Sequence, residues 1–126
     1  MNRAGPKADA KIMYKALLSD LTIRKSDIHG LGVFARRSIP KDTILGISHV
    51  KDKSNTGCYK DGYIRTPLGG FINHSNKPNC IKVKVLGTWF LPLSEGELSS
   101  TMAIQTNKAV REGEEITVSY TLYTVD

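Results

Sequence analysis

Short segments of alternating apolar and polar residues are the feature of this 126-residue chain that most limits its fold. In the clearest one, Ile81, Val83 and Val85 share one face of a strand, and Lys82 and Lys84 are expected to point outward from the other. Glycine and proline turns separate further candidate strands. One begins at residue 21, and the others cover residues 31–35, 43–47, 89–93, 101–106 and 116–120. The pattern predicts a mainly β domain.

Two segments depart from this pattern. Near the start, Ala8, Ile12, Met13, Ala16 and Leu17 recur at the spacing of one helical face, which predicts a short N-terminal helix. Residues 51–70 are rich in Lys, Asp, Gly and Ser/Thr, and we expect a loop there with one short strand. We therefore divide the chain into a helical extension, residues 1–20, and a domain, residues 21–126.

Several classes of protein are excluded or disfavoured by composition. No apolar stretch approaches the ~20 residues that cross a bilayer, and the first ten residues lack the apolar segment of a secretory signal. We therefore expect an intracellular location, in the cytoplasm or the nucleus. Two cysteines, Cys58 and Cys80, cannot supply the four ligands of a structural zinc site, so we expect reduced thiols and no metal.

The charge is unevenly distributed. Residues 1–60 contain 12 Lys/Arg and 5 Asp/Glu, whereas residues 61–126 contain 6 and 7, so the net charge of +6 comes from the first half. A basic surface can attract nucleic acid through counterion release. It can equally serve to keep a small domain soluble.

Three motifs carry polar or glycine residues that a β fold alone does not require: Gly30-Leu31-Gly32, the run from Phe71-Ile72-Asn73-His74-Ser75 to Pro78-Asn79, and Gly113-Glu114-Glu115-Ile116 followed by Tyr120. Taken singly, the glycine pair is typical of a turn, the histidine of a structural side chain, and the tyrosine of a core or edge position. Their order along one chain is more informative than any of them alone.

In this order the motifs resemble the SET domain of protein-lysine methyltransferases, over about residues 21–123. The short size and the lack of cysteine-rich flanks are similar to the stand-alone SET proteins of viruses, and for a viral source the expected location is the host cell. The resemblance implies several small β-sheets, with the Asn73-His74 segment and the C-terminal strand forming a pseudoknot around the active site. Such threading is rare among protein folds.

The resemblance also implies the function. S-adenosylmethionine would bind at Gly30, Leu31 and Gly32 and at the Asn73-His74 pair, without a metal. Tyr120 matches the catalytic tyrosine, and a lysine of a protein substrate, for example a histone, would enter from the opposite face. Tyr63 and Tyr123 are candidates for the aromatic wall of the lysine channel, because ring faces attract methylammonium groups.

Some positions depart from the family pattern. Asn76, Gly70 and Ser119 stand where relatives often carry Cys, Arg and Asp. Since no cysteine-rich flank is present, either a homodimer or residues 121–126 could close the substrate channel. Two alternatives stay open: a SET-like domain that binds peptide without transferring methyl groups, and a small basic β domain that binds nucleic acid.

Overall fold

Nine strands and one short helix occupy the part of the chain that the computed structural model describes, residues 17–51, 62–93 and 100–119. The elements are β1 (Leu21–Lys25), β2 (Leu31–Ala35), β3 (Ile44–Lys51), β4 (Tyr63–Arg65), α1 (Pro67–Phe71), β5 (Asn73–His74), β6 (Cys80–Leu86), β7 (Trp89–Pro92), β8 (Thr101–Thr106) and β9 (Glu115–Val118). The mainly β fold class is thereby confirmed. The helix predicted near the N-terminus falls largely on residues 1–16, outside the described residues, and residues 17–20 form a bend and a turn.

One sheet has four strands in the order β1-β2-β9-β5. Strands β1, β2 and β9 are antiparallel neighbours, whereas β5 runs parallel to β9 with Asn73 opposite Thr117 and His74 opposite Val118. The last strand of the described residues, β9, therefore lies between β2 and the Asn73-His74 segment. The predicted association of these two segments is confirmed.

The second sheet has five antiparallel strands in the order β4-β3-β8-β6-β7. Strand β7 forms one edge, as the proline at position 92 predicts, and every residue of β7 is exposed. The pairing of β3 with β8 shifts register twice, between Ile44 and Gly46 and between Ile47 and His49.

The core lies between the sheets and takes residues from both, together with α1. Its most deeply buried members include Val33, Ile104, Val110, Ile116 and Val118, each at most 1% exposed. Val33 and Ile116 are direct partners in the pairing of β2 with β9. The core therefore holds the central strands of the first sheet, which carry the candidate site residues.

Helix α1 begins within residues 51–70, which were predicted as a loop with one short strand, and ends one residue beyond them; the short strand is β4. The helix begins after Thr66, whose Oγ1 accepts a hydrogen bond from Gly69 N at 3.3 Å. Gly69 packs against the Ser48 carbonyl of β3, where a Cβ would overlap the oxygen. Two adjacent glycines disfavour a helix in isolation, so tertiary contact explains what local propensity missed.

The prediction that Lys82 points into solvent is wrong. Lys82 is 7% exposed, and Ile81 is only half-buried. Strand β6 lies inside its sheet between β8 and β7, and Lys82 and Val83 are buried in succession, so the burial of its side chains does not alternate. Alternation predicts exposure only where one face of the sheet is open to water.

Candidate active site

Asn73 is the centre of the candidate site. The pairing of β5 with β9 places the Asn73 backbone in the first sheet, and the residue is 8% exposed. The amide nitrogen Nδ2 lies 2.8 Å from Glu115 Oε2, 3.1 Å from Ser26 Oγ, 3.1 Å from the His29 carbonyl and 3.2 Å from the Leu31 carbonyl. Because all four neighbours can accept a hydrogen bond, they fix which end of the amide is the nitrogen.

The loop between β1 and β2, residues 26–30, closes over this amide. The Ser26 hydroxyl accepts hydrogen bonds from the backbone N–H groups of Ile28 at 2.9 Å and His29 at 3.3 Å. Ser26 N donates to the Gly30 carbonyl at 2.8 Å, and Gly30 adopts a φ of 44°, which glycine accepts without strain. The His29 carbonyl of the loop and the Leu31 carbonyl at the start of β2 thus both point toward Asn73.

The two glycines of the first motif have different surroundings. A Cβ on Gly30 would meet no atom within 4 Å, so this position faces open space. A Cβ on Gly32 would overlap Glu115 Oε2 and lie 2.9 Å from Glu115 Cδ and 3.1 Å from Asn73 Nδ2. Within the described residues, Gly32 is therefore constrained by other side chains of the same site.

Asn79 is a structural partner of the site to which the sequence assigned no role. Its Nδ2 donates to the Glu115 carbonyl at 2.8 Å, and its Oδ1 accepts from Thr117 N at 2.9 Å. The side-chain amide thus pairs with β9 as a neighbouring strand would. The sequence feature that could have predicted this role is Pro78-Asn79 within the second motif. A polar residue that is followed by apolar strand residues is often buried, and its hydrogen bonds are then satisfied within the protein.

His74 is half-buried and lies next to Asn73 on β5. Its Nε2 donates to Asn76 Oδ1 at 3.2 Å, and the following residue, Ser75, donates its backbone N–H to the Val118 carbonyl at 2.9 Å. The second and third motifs are therefore joined through their backbones along β5 and β9.

The structure brings Leu31, Gly32 and Asn73 into direct proximity, with Gly30 and His74 adjacent to them in sequence. Tyr63 lies in the other sheet, 1% exposed, with its ring centroid 6.1 Å from that of His49 and 4.9 Å from Lys51 Nζ. Its proposed place in a channel wall stays a prediction. Tyr120 and Tyr123 lie outside the described residues, so their roles also stay predictions.

The cysteine among the described residues, Cys80, is a buried thiol. Burial raises the pKa of the Cys80 thiol to about 12, so the group is neutral at physiological pH. Within residues 17–51, 62–93 and 100–119, no three His, Cys, Asp or Glu side chains are grouped so as to hold a metal ion. The helix found in the same ranges is too short to span a membrane. Close to Asn73 the described residues place backbone carbonyls, the Ser26 hydroxyl, the His74 imidazole and the Glu115 carboxylate.

Comparison with known protein families gives a match for the central and C-terminal part of this chain. The family model described as SET domain matches residues 47–121, which is more than half of the chain and includes Asn73, His74 and Tyr120. The motif Gly30-Leu31-Gly32 precedes the matched residues. No curated protein is similar enough in sequence to count as a match.

A solved structure is similar over most of the fold. It is the crystal structure of a Plasmodium falciparum protein described as a candidate histone methyltransferase, 24% identical, with a TM-score of 0.55. The match covers 79% of this chain and 96% of that chain. At this identity the likeness shows the fold alone. The chain belongs to the SET domain family.

Proposed function

We propose that this protein is a protein-lysine N-methyltransferase that takes its methyl group from S-adenosylmethionine. The observation that carries the proposal is the contact between the first and second motifs, in which the Asn73 amide binds the Leu31 carbonyl at 3.2 Å beside β9. Family membership supports the same reaction. The alternative is a SET domain that binds peptide or cofactor without transferring a methyl group.

The described residues are compatible with the cofactor. Gly30 faces open space and Leu31 is 49% exposed, and the Leu31 carbonyl lies 3.2 Å from the buried Asn73 amide nitrogen. Backbone at residues 30–32 and the Asn73-His74 pair would hold it. When bound, S-adenosylmethionine supplies a methyl group activated by a positively charged sulfur. A site rich in carbonyl and carboxylate oxygens suits such a cation.

The remaining task of the protein is to present a neutral amine. A free lysine has a pKa of about 10.4, and its protonated form has no lone pair with which to attack. An apolar aromatic channel lowers this pKa by desolvation. We assign the orientation of the amine to the Tyr120 hydroxyl, and the channel wall to Tyr63 and Tyr123. Alignment of two bound reactants can lower the barrier by about 7 to 11 kcal/mol.

The substrate is proposed to be a protein that presents a lysine. Since the Plasmodium falciparum structure carries the description of a candidate histone methyltransferase, histone peptides are the first substrates to test. Closure of the channel is assigned to a second copy of the chain or to residues 121–126. Light scattering at the working concentration separates the two, because a strict monomer would leave the tail as the closing segment.

The experiment combines binding with transfer. Calorimetry should detect S-adenosylmethionine binding, and mass spectrometry should find one or more added methyl groups on lysines of a substrate mixture. Tyr120→Phe should keep cofactor affinity within about twofold and lose most of the turnover. Tyr14→Phe, in the N-terminal extension, is the matched control and should retain activity. Binding without transfer in the wild type would favour the non-catalytic alternative.

A further inference from the structure

We infer that Glu115 is a positioning residue whose carboxylate fixes the 26–30 loop against Asn73, and that position 32 is glycine because this carboxylate occupies the space of a side chain. The inference deepens the proposed function, on which its cofactor-binding part rests. The sequence predicted a cofactor contact for Gly32, whereas the contact of Glu115 with the 26–30 loop was not predicted.

The carboxylate connects two parts of the site. Both of its oxygens lie within hydrogen-bond distance of the Ser26 hydroxyl, at 2.8 and 2.9 Å, and Oε2 also accepts from Asn73 Nδ2 at 2.8 Å. Hydrogen bonds to an ionised acceptor are about twice as strong as neutral ones. The Ser26 oxygen in turn accepts a hydrogen bond from Ile28 N. The Glu115 carboxylate therefore positions the loop backbone through the Ser26 hydroxyl.

The backbone of Glu115 is held independently of its side chain. Glu115 is the register partner of Phe34 in β2, and its carbonyl accepts from Asn79 Nδ2 at 2.8 Å. A substitution at position 115 therefore removes the carboxylate and leaves the strand anchored. Glu114 gives a matched control, because it is exposed and its Oε1 accepts from Arg111 N at 2.8 Å, away from Asn73.

Gly32 and Glu115 compete for the same volume. Gly32 is buried and is absent from the glycines with positive φ, so its backbone conformation admits alanine. The obstacle is spatial, because a Cβ would overlap Oε2 and approach Cδ to 2.9 Å. A methyl group at position 32 therefore displaces the carboxylate, and with it the contacts to Ser26 and Asn73.

The first experiment is a double-mutant cycle in urea denaturation, which needs no cofactor. Gly32→Ala should lower the unfolding midpoint strongly in the wild type and by less than half as much in the Glu115→Ala background. If Gly32→Ala alone does not fold, recovery of folding in the double variant is the supporting result. An equal loss in both backgrounds, or no folding in either, would overturn the coupling.

The second experiment tests positioning in the folded protein. Glu115→Gln should weaken S-adenosylmethionine binding about tenfold or more, the effect of losing a charge-assisted hydrogen bond, while the KM for peptide stays within twofold. Glu115→Ala should weaken it further, because the amide of Gln keeps one acceptor. Glu114→Gln should bind as the wild type does. Unchanged cofactor affinity in Glu115→Gln would refute the positioning role, whereas a wild type that binds no cofactor would refute the proposed function and leave the denaturation test standing.

Discussion

Gly69 and Gly70 are neighbours in α1 with opposite surroundings. A Cβ on Gly69 would overlap the backbone carbonyl of Ser48, which cannot move without displacing β3, whereas a Cβ on Gly70 would meet nothing within 4 Å. Gly69→Ala should therefore lower the free energy of unfolding by on the order of 3 kcal/mol. Gly70→Ala should raise it by roughly 0.5 to 1 kcal/mol, because alanine favours the helix. Urea denaturation measures both, and equal effects would contradict the close packing of α1 on β3.

Cys80 should be an unreactive thiol with a stabilising effect that depends on pH. Burial raises its pKa from 9.0 to about 12, so the folded protein binds this proton more tightly than the unfolded chain. Its contribution to stability is complete below about pH 9 and is lost as pH rises toward 12.

The measurement uses a Cys58→Ser variant, in which Cys80 is the remaining thiol. A chromogenic disulfide reagent at pH 8 should react slowly with the native protein and rapidly in urea. Rapid reaction of the native protein would show that the thiol is accessible and would remove the basis of the pH effect.

Single residues also show where inference from the sequence stops. The motif Gly30-Leu31-Gly32 was visible, and its contact with Asn73 was expected from the family resemblance. The reason for Gly32 was not visible, because the carboxylate that excludes a side chain there belongs to Glu115, 83 positions later. No periodicity or local propensity reports a contact across that separation.

At the scale of elements, β9 depends on the Asn79 side chain. Asn79→Ala would leave Thr117 N and the Glu115 carbonyl without the partners they have at 2.9 and 2.8 Å. Because both groups lie in a buried strand, we expect a loss of about 2 to 4 kcal/mol in the free energy of unfolding. Asn76→Ala, in the same segment but exposed, should change it by less than about 0.5 kcal/mol. Similar losses at the two positions would contradict the strand-like role of Asn79.

Strand β7 exposes Trp89, the one tryptophan of the chain, at 72%. Its fluorescence emission should therefore lie close to that of the urea-unfolded protein, and acrylamide should quench it efficiently in the native state. A strongly blue-shifted native emission would show that this edge is covered. A dependence of that shift on protein concentration would identify a second copy as the cover.

The strands were largely predictable, and two other elements were not. The alternation of apolar and polar residues predicted the ends of β6, β8 and β9 to within two residues of those in the structure. Each of these strands has branched side chains packed on one face. Strand β5 escaped detection because two residues contain no period, and it exists through its parallel pairing with β9. Helix α1 was not predicted because Gly69 and Gly70 disfavour helix formation, whereas the contact with Ser48 stabilises the helix in the folded protein.

At the scale of the whole molecule, the order β1-β2-β9-β5 could not be read from hydrophobic pattern. Patterns identify strands but carry no information on which distant strands pair, and sequential neighbours are the usual expectation. The family resemblance supplied the association of the second and third motifs, and the structure then supplied the contacts of Asn73 and Glu115. The roles of Tyr63, Tyr120 and Tyr123 stay predictions.

Truncations test the domain boundary and the place of β9. A chain that starts at residue 17 keeps Leu17 and Leu18, which pack on the core, and should unfold at the same urea concentration as the full chain. A chain that ends at residue 114 loses the partner of both β2 and β5 and should not fold. Circular dichroism during urea titration distinguishes the two. Cooperative unfolding of the second chain would contradict a central role for β9.

The position of β9 late in the sequence also delays completion of the first sheet during biosynthesis. Strands β2 and β5 are synthesised well before β9, which will join them. At about 5 to 20 residues per second, the 40 residues between β5 and β9 take on the order of several seconds to be added. Throughout this interval the nascent chain carries two unpaired strand edges, which invite pairing with other polypeptides. Newly made copies should therefore depend on chaperones more than their small size suggests.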